Sequence, residues 1–328
     1  MEQVRSPIEA RRIGASGRTV VFHAGPGWHQ RIRAAEVDFF TRLGARLTTE
    51  GVPHRLATAG GATSRVLLAQ DHVHIMVGGA ASYGPNILHA HPAYIWGFWY
   101  LDEVGIHWNS SIRLARFVPE RIDAEKAGYF FNGVSGWMLR QNMSRLPQVE
   151  RHAGGLEQAA AVIYCQDIEQ RTDRAHFLTT EDMIRVTAET CGDRLVYVKP
   201  HPEQSKALRQ KIIATSHDYR NVQMSNASVH DLNEAADMVV TQNSAAGFEA
   251  LMQKKPVITC ARSDFWHATL TPRTHADLRE ALRYGTEAMA GFEYEKFFYW
   301  FLAKRCLEPQ KEDFASRAWA RIRDKAYL

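Results

Sequence analysis

Short apolar runs alternate with stretches of helical periodicity along most of this chain, and the alternation predicts its fold. In the first half, strands are predicted at residues 19–22, 55–57 and 72–77, and a helix at 36–50. In the second half, strands are predicted at 161–164, 195–198, 238–240 and 256–259, and helices at 180–191, 204–215, 230–235 and 245–253. Strands that alternate with helices are typical of α/β layers with a mostly parallel sheet.

The two series predict two Rossmann-like domains, residues 1–155 and residues 156–328. A chain of 328 residues suits two domains of about 100–200 residues each. Residues 1–18 are predicted to be a polar leader, residues 86–150 a less regular segment rich in aromatics, and the chain from Leu278 onward a helical tail. The predicted fold class is therefore α/β, with two Rossmann-like domains that face each other across a cleft and a helical C-terminal tail.

Composition and charge indicate what kind of protein this is and what kind of ligand it binds. A hydrophobic content of 45% and a charged content of 23% are typical of a globular protein in water. The net charge of +4 is mild, and no long Lys/Arg run occurs, so we expect an anionic ligand and no nucleic acid. The first twelve residues are charged and do not resemble a secretory signal. The four cysteines form no CxxC pair, which argues against disulfides and zinc and favours a cytoplasmic location.

Polar residues able to hold a charged ligand follow the predicted strand 195–198. They are Lys199, His201 and Pro202, and prolines on both sides of His201 stiffen the backbone there. The imidazole of His201 can donate to a phosphate or carry a proton near neutral pH. The alternative is that this lysine and histidine have only structural roles in a loop.

The predicted strand 238–240 also ends in polar residues. Asn243 and Ser244 stand where a helix N-cap is expected, and the N-terminus of a helix attracts anions. Gly247 permits close backbone approach, and Glu249, one turn into the helix, can accept from a ribose hydroxyl. The alternative is that Ser244 only caps the helix and Glu249 is solvated. Because the carboxyl ends of parallel strands meet at one edge, the two strand ends predict a single anion-binding crevice.

Three acidic residues follow the predicted strand 161–164. They are Asp167, Glu169 and Asp173. A carboxylate at a domain cleft can act as a nucleophile or a general base. The alternative for each of them is a place in a polar, solvated loop.

The first half carries acids and histidines in an aromatic setting. Burial would raise the pKa of Asp102 or Glu103 there. His89 and His91 have no matching carboxylate cluster, and a zinc site needs three or four ligands. The chain also contains no Asp-x-Asp sequence, so no metal and no cofactor are expected.

Three strings in the second half resemble the capsule polysaccharide biosynthesis proteins, a family that includes bacterial β-Kdo transferases. The strings are Val198-Lys-Pro-His-Pro202, Ala236-Asp-Met-Val-Val-Thr-Gln-Asn-Ser-Ala-Ala-Gly-Phe-Glu-Ala-Leu251 and Lys254-Lys-Pro-Val-Ile-Thr259. The resemblance is clearest over roughly residues 160–270. It implies a GT-B-like glycosyltransferase that uses CMP-Kdo, retains the anomeric configuration and needs no metal.

The resemblance also implies roles for individual residues. His201, and Ser244 with Asn243, would contact the CMP phosphate of the donor. The family's segment with a glutamine and a following acid corresponds to Gln166–Asp173, in which an aspartate serves as the nucleophile. Asp173 is the first choice, and Asp167 and Glu169 remain alternatives.

A further implied role lies in the first domain. Asp102-Glu-Val-Gly105 is a loose echo of an acidic string that the family carries there. Glu103 is accordingly the candidate to assist the acceptor hydroxyl.

The predicted function is glycosyl transfer in the synthesis of capsule or surface polysaccharide. The partners would be a nucleotide sugar, CMP-Kdo first, and a glycan or glycolipid acceptor. The predicted location is the cytoplasm, with peripheral contact to the inner membrane. Two alternatives stay open: a GT-B enzyme that uses a UDP-sugar, and a non-catalytic scaffold that binds polysaccharide or capsule-assembly proteins.

Overall fold

The computed structural model describes residues 1–14, 17–79 and 82–326, which form two compact units. The first unit comprises Met1–Leu114 together with Leu302–Leu328, and the second comprises Ala115–Phe301. Each is an α/β unit built on a mostly parallel sheet. The predicted fold class, two Rossmann-like domains with a helical C-terminal region, is confirmed in these respects.

The first unit has six strands and five α-helices among its described residues. The strands are β1 (Glu2–Gln3), β2 (Val20–Ala24), β3 (His54–Thr58), β4 (Val73–Val77), β5 (Ile87–Pro92) and β6 (Trp99–Asp102). The helices are α1 (Pro7–Gly14), α2 (Pro26–Arg33), α3 (Asp38–Thr49), α4 (Ala62–Leu68) and, at the end of the chain, α12 (Phe314–Ala326). Short 3₁₀ turns at His107–Asn109 and Ser111–Leu114 complete it.

The sheet of the first unit has the order β1-β3-β2-β4-β5-β6, and only β6 runs antiparallel to its neighbour. Phe22 of β2 lies opposite Leu56 of β3 and Ile75 of β4. Strands β2 and β4 are buried along their whole length, as expected where helices cover both faces of a parallel sheet. Helix α3 adds a stripe of buried residues at helical spacing, which includes Leu43 and Leu47.

The division into units differs from the predicted boundary at residue 155. Helix α12 belongs with the first unit, because Phe314, Ala318 and Ile322 are buried in the core of that unit. The segment before α12 is fixed to the same unit by main-chain bonds. Trp99 and Leu307 exchange two of these bonds, each 2.8 Å long.

Residues 115–155 pack with the second unit and are more regular than predicted. They contain helix α5 (Ala124–Arg140) and a 3₁₀ turn at Pro119–Arg121. Phe131 of α5 meets Phe298 edge to face, with 5.4 Å between ring centroids. The aromatic residues of α5 thus supply packing that places this stretch in the second unit.

The prediction of a polar leader at residues 1–18 is wrong. Strand β1 and helix α1 lie there, and Val4 and Ala10 are buried against the first sheet. Two apolar residues among charged ones are enough to anchor the segment, although they give no visible periodicity. Residues 15 and 16 of the predicted leader lie outside the described residues.

The second unit carries the series of strands and helices predicted from the sequence. Its strands are β7 (Ala159–Tyr164), β8 (Val196–Lys199), β9 (Val222–Met224), β10 (Ala236–Thr241) and β11 (Val257–Thr259). Its further helices are α6 (Thr180–Cys191), α7 (Lys206–His217), α8 (Val229–Ala235), α9 (Ala245–Ala250), α10 (His275–Met289) and α11 (Tyr294–Phe298). Two 3₁₀ turns, Leu251–Gln253 and Trp266–Ala268, follow α9 and β11, and a π-helical stretch, Tyr299–Arg305, follows α11.

The sheet of the second unit is parallel, with the order β9-β8-β7-β10-β11. The chain moves outward from β7 through β8 to β9, then returns to the other side of β7 and continues through β10 to β11. The order therefore reverses between β7 and β10. In open α/β sheets this point opens a crevice at the carboxyl ends of the strands, where ligands bind.

The aromatic cluster at 297–301 forms part of the core rather than an exposed surface. Phe297, Phe298 and Phe301 are fully buried, and Phe301 lies 4.8 Å from the ring of Phe248 in α9. Packing of this kind explains the aromatic content without a lipid partner.

Candidate functional site

Two residues meet across the switch point of the second sheet. Gln166 follows β7 and Asn243 follows β10, and their side chains face each other at the carboxyl edge. The amide nitrogen of Gln166 donates to Asn243 Oδ1 at 3.2 Å, and the backbone N–H of Asn243 donates to Gln166 Oε1 at 2.8 Å. Both residues are partly exposed, so the pair forms a polar floor that a ligand can reach.

The loop after β7 is attached to the segment after β11. His176 and Ala261 form a bridge, and the N–H of Phe177 donates to the carbonyl of Cys260 at 2.8 Å. Arg262 then donates through its backbone N–H to the carbonyl of Ala175 at 2.8 Å. The ends of β7, β10 and β11 thus form one polar surface.

Arg262 is a residue of this surface that the sequence reasoning missed. Its carbonyl accepts from the side-chain amide of Asn243 at 2.9 Å, and its guanidinium donates to the carbonyl of Asp173. It comes just after the predicted strand at 256–259. The rule that selected the other strand ends could therefore have selected it too.

Asp173, the preferred nucleophile, lies at the same edge. Its Oδ2 is 3.1 Å from the guanidinium of Arg171, and 24% of the side chain is exposed. Its Oδ1 is buried, and no group of the described residues donates to it.

The other two acids of this loop hold helix ends. Glu169 Oε1 accepts from the backbone N–H and the hydroxyl of Thr180, at 2.6 and 2.7 Å, and from the side chain of Gln242 at 3.1 Å. Asp167 Oδ2 accepts from the backbone N–H of Ser205, the N-cap of α7, at 2.9 Å. Both therefore satisfy N–H groups at the beginning of helices.

His201 and Pro202 occupy the loop between β8 and α7. The backbone N–H of His201 donates to Gln204 Oε1 at 2.9 Å, and His201 Nδ1 accepts from the backbone N–H of Glu203 at 3.2 Å. Because Nδ1 accepts, the neutral ring carries its proton on Nε2. Nε2 is then a donor. Pro202 is exposed beside it.

Lys199 ends β8 and holds a neighbouring loop. Its ammonium donates to the carbonyls of Asn226 and Ala227, between β9 and α8. Burial lowers the pKa of Lys199. These bonds give the lysine a structural task whether or not it also touches a ligand.

Ser244 caps helix α9, as its position in the sequence predicts. Its Oγ accepts from the backbone N–H of Ala246 at 3.2 Å. Gly247 has a packing role: a Cβ at this position would lie 2.8 Å from the methyl group of Thr241. The glycine lets α9 pack tightly against β10.

Glu249 is buried, so the alternative of a solvated helix residue is wrong, and the predicted ribose contact stays a prediction. Its Oε1 accepts from the hydroxyl of Ser144 at 2.9 Å and from the backbone N–H of Arg145 at 3.1 Å. Its Oε2 is buried, and within residues 1–14, 17–79 and 82–326 no group donates to it. Burial raises the pKa of Glu249 to about 7, and the two bonds at Oε1 oppose that rise.

The segment bound to Glu249 also covers the start of α8. His230 Nε2 lies 2.7 Å from the carbonyl of Met143, and the backbone N–H of Val229 donates to Gln148 Oε1 at 3.0 Å. Glu249 is therefore one anchor of a polar strap within the second unit.

In the first unit, the acid that ends β6 and the one that follows it differ in their surroundings. Asp102 is buried and accepts from the backbone N–H groups of Val104, Gly105 and Ser111 and from the hydroxyl of Ser111, at 2.7–3.0 Å. Glu103 is exposed over 59% of its side chain and lies 3.2 Å from the ammonium of Lys325. Asp102 organises its loop, whereas Glu103 is accessible.

Within residues 1–14, 17–79 and 82–326, no three His, Cys, Asp or Glu side chains stand together as ligands for a metal ion. Every helix found in those ranges is too short or too polar to traverse a bilayer.

The central part of the second unit matches a known protein family. Residues 170–291 match the family model described as capsule polysaccharide biosynthesis protein. The resemblance drawn from the three sequence strings is thereby confirmed over this segment. No curated protein matches the chain by sequence.

Several solved structures are similar to this chain. The KpsC β-Kdo 2,7 transferase of Thermosulfurimonas dismutans has 15% sequence identity and a TM-score of 0.48, over 80% of this chain and 89% of that one. The β-Kdo 2,4 transferase of the same KpsC has 16% identity and a TM-score of 0.48, over 81% and 90%. The UDP-GlcNAc 2-epimerase of Methanocaldococcus jannaschii has 12% identity and a TM-score of 0.36, over 93% and 98%.

Proposed function

We propose that this chain is a GT-B-like glycosyltransferase of capsule or surface polysaccharide biosynthesis. The observation that carries the proposal is the polar surface at the switch point of the second sheet, most of which falls in the segment that matches the capsule family model. The proposed donor is CMP-Kdo or a related CMP-ulosonate, as the sequence resemblance implies.

The proposed donor site lies at the carboxyl ends of β7, β8 and β10. A crevice at a topological switch point is the usual place for a nucleotide in an open α/β sheet. In the proposal, His201 donates from Nε2 to a phosphate oxygen, and Asn243 and Ser244 add polar contacts. Gln166 supports this arrangement through its two hydrogen bonds to Asn243. Hydrogen-bond donors that are already in position before the reaction stabilise the charge that develops on the leaving phosphate.

The proposed chemistry is a double displacement. A carboxylate oxygen of Asp173 attacks the anomeric carbon, the bond from that carbon to the phosphate oxygen breaks, and its electron pair leaves with CMP. The acceptor hydroxyl then attacks the same carbon and displaces Asp173, so the configuration is retained overall. Glu103 is proposed to take the proton of the acceptor hydroxyl. No step in this scheme calls for a metal.

The remaining parts of the proposal concern the acceptor and the location. A glycan or glycolipid of the cell surface is the proposed acceptor. The protein is proposed to act in the cytoplasm, in peripheral contact with the inner membrane, where such acceptors are assembled. Its net charge of +4 is compatible with an anionic surface.

Nucleotide binding and donor turnover test the proposal. Thermal unfolding is followed with CMP, CDP, UMP and UDP, and hydrolysis and transfer are then measured with CMP-Kdo and with UDP-sugars. A nucleotide at a hundred times its Kd adds about 2.7 kcal/mol. That energy raises Tm by roughly 5–10 °C for a unit of this size. We expect CMP to give the largest rise.

Substitution of His201 by Ala should weaken CMP binding about tenfold or more, since a charge-assisted hydrogen bond is worth about 1.5–3 kcal/mol. His217→Ala is the matched control, because that exposed histidine ends α7 at the opposite edge of the sheet. If the protein binds UDP more tightly than CMP, the donor would be a UDP-sugar instead of CMP-Kdo. Absence of both nucleotide binding and turnover would favour the non-catalytic scaffold and refute the proposal.

A further inference from the structure

Arg262 connects the loop of the proposed nucleophile to the proposed phosphate contact. Its carbonyl accepts from Asn243 Nδ2 at 2.9 Å, and its backbone N–H donates to the carbonyl of Ala175 at 2.8 Å. Its guanidinium donates to the carbonyl of Asp173 and to that of Arg174 at 3.4 Å. One residue thus touches both sides of the proposed reaction centre.

The backbone that the guanidinium holds is strained. Arg174 has φ of 43°, in the left-handed region that residues with a Cβ seldom adopt. A conformation of this kind costs about 1–3 kcal/mol and persists where surrounding contacts fix it. The two carbonyls bound by Arg262 belong to this residue and the one before it. Removal of the guanidinium would therefore let the loop relax.

The carboxylate of Asp173 is also held in an unfavourable state. Its Oδ1 is buried, and no group in the described part of the chain donates to it, which is unfavourable for a charged oxygen. A freely relaxing loop would turn this oxygen toward water or a donor. The bonds from Arg262 are to the main chain of Asp173, so they hold the residue in place without occupying Oδ1.

We propose that Arg262 is a positioning residue that holds the Asp173 carboxylate in register with the donor phosphate bound at Asn243. The inference rests on the proposed function, because it takes Asp173 as the nucleophile. Arg262 itself makes no bond to the reacting carbon. Its effect is to keep the attacking oxygen aligned when the bond to phosphate breaks.

The test compares Arg262→Ala and Arg262→Lys with Asp173→Asn. Misplacement by about 1 Å costs about 10²-fold in rate, so Arg262→Ala should lower kcat by that order. The Kd for CMP should change less than about threefold, because the cation does not carry the phosphate in this scheme. Lysine can donate to one of the two carbonyls and should restore about a tenth of the wild-type kcat. Methylguanidine in the buffer should rescue Arg262→Ala and leave Asp173→Asn inactive.

Arg283→Ala is the matched control, since Arg283 is exposed on α10 in the same unit. Hydrogen exchange of the amides at 174–177 supplies a readout independent of turnover and should speed up in Arg262→Ala alone. Unchanged kcat in Arg262→Ala, or a Kd for CMP that rises in parallel with the loss of kcat, would overturn the positioning role. Wild-type protein without transferase activity, or an active Asp173→Asn, would instead refute the proposed function and the inference with it.

Discussion

Replacement of Glu249 by Gln separates a structural role for this carboxyl group from a role in donor binding. Glu249 is fully buried, and its Oε1 accepts from Ser144 and Arg145. The carbonyl oxygen of glutamine can accept the same two bonds. The substitution therefore removes the ability to ionise and keeps the contacts with the strap.

The expected change in the free energy of unfolding follows from the pKa of Glu249. Burial raises the pKa of Glu249 from its ordinary value of 4.5 to about 7. A shift of about 2.5 units corresponds to about 3.4 kcal/mol between the two protonation states. The pKa of Glu249 is higher in the folded than in the unfolded state, so the free energy of unfolding is highest below pH 4.5, where the carboxyl group is protonated in both states. It falls as the pH rises from 4.5 through 7. Glutamine should therefore stabilise the second unit by about 3 kcal/mol at pH 8 and by about 1 kcal/mol at pH 5.

Urea unfolding at pH 5 and pH 8 measures this difference. With a slope of about 2 kcal/mol per molar urea, the midpoint of Glu249→Gln should exceed that of the wild type by about 1–2 M at pH 8. The affinity for CMP, measured at both pH values, should stay the same if the carboxyl group only anchors the strap. If the difference in midpoint between Glu249→Gln and the wild type is the same at pH 5 and pH 8, the argument from burial is refuted. A large loss of CMP affinity would instead support the predicted ribose contact.

Two further predictions concern packing and acid stability. Gly247→Ala should destabilise the second unit by about 1–2 kcal/mol in urea unfolding, because its Cβ would lie 2.8 Å from a threonine methyl group of β10. Gly133→Ala, on the exposed face of α5 with no atom within 4 Å, should gain about 0.5–1 kcal/mol in the same assay, and equal effects at both sites would contradict the packing argument. Burial lowers the pKa of His23 to about 3 and that of His74 to about 4. Because the unfolded state binds these protons more readily, the free energy of unfolding of the first unit should be highest above pH 6.5. It should fall by about 2 kcal/mol per histidine between pH 7 and pH 5. Hydrogen exchange of the β2 amides, corrected for intrinsic rates, reports on that unit, and protection independent of pH would exclude the effect.

The strands of the second unit could be predicted because each is a short apolar run that ends in polar residues. Strand β10 is predicted at 238–240 and observed at Ala236–Thr241, and β8 is predicted at 195–198 and observed at Val196–Lys199. The polar ends were equally visible. A strand buried on both faces has to stop where the chain meets ligand or solvent, so Asn243 and His201 can be picked out as candidates from the sequence.

The features that could not be predicted depend on tertiary partners. Nothing in α12 shows which sheet its apolar face covers, so its place in the first unit was missed. The burial of Glu249 depends on a strap more than a hundred residues earlier in the chain. The position of Arg262 after a strand is visible in the sequence, whereas its bonds to the carbonyls of Asp173 and Arg174 are not.

The proposed choice among the three acids after β7 is supported by their hydrogen bonds. The sequence makes Asp173 the first choice and leaves Asp167 and Glu169 as alternatives. Glu169 accepts three bonds that fix the start of α6, so an attack by its Oε1 would first have to break them. Asp167 accepts the N-cap amide of α7. Among the three acids, Asp173 alone has a buried oxygen to which no group of the described residues donates, and its other oxygen is paired with Arg171. The other two acids are engaged at helix starts, and we therefore keep Asp173 as the proposed nucleophile.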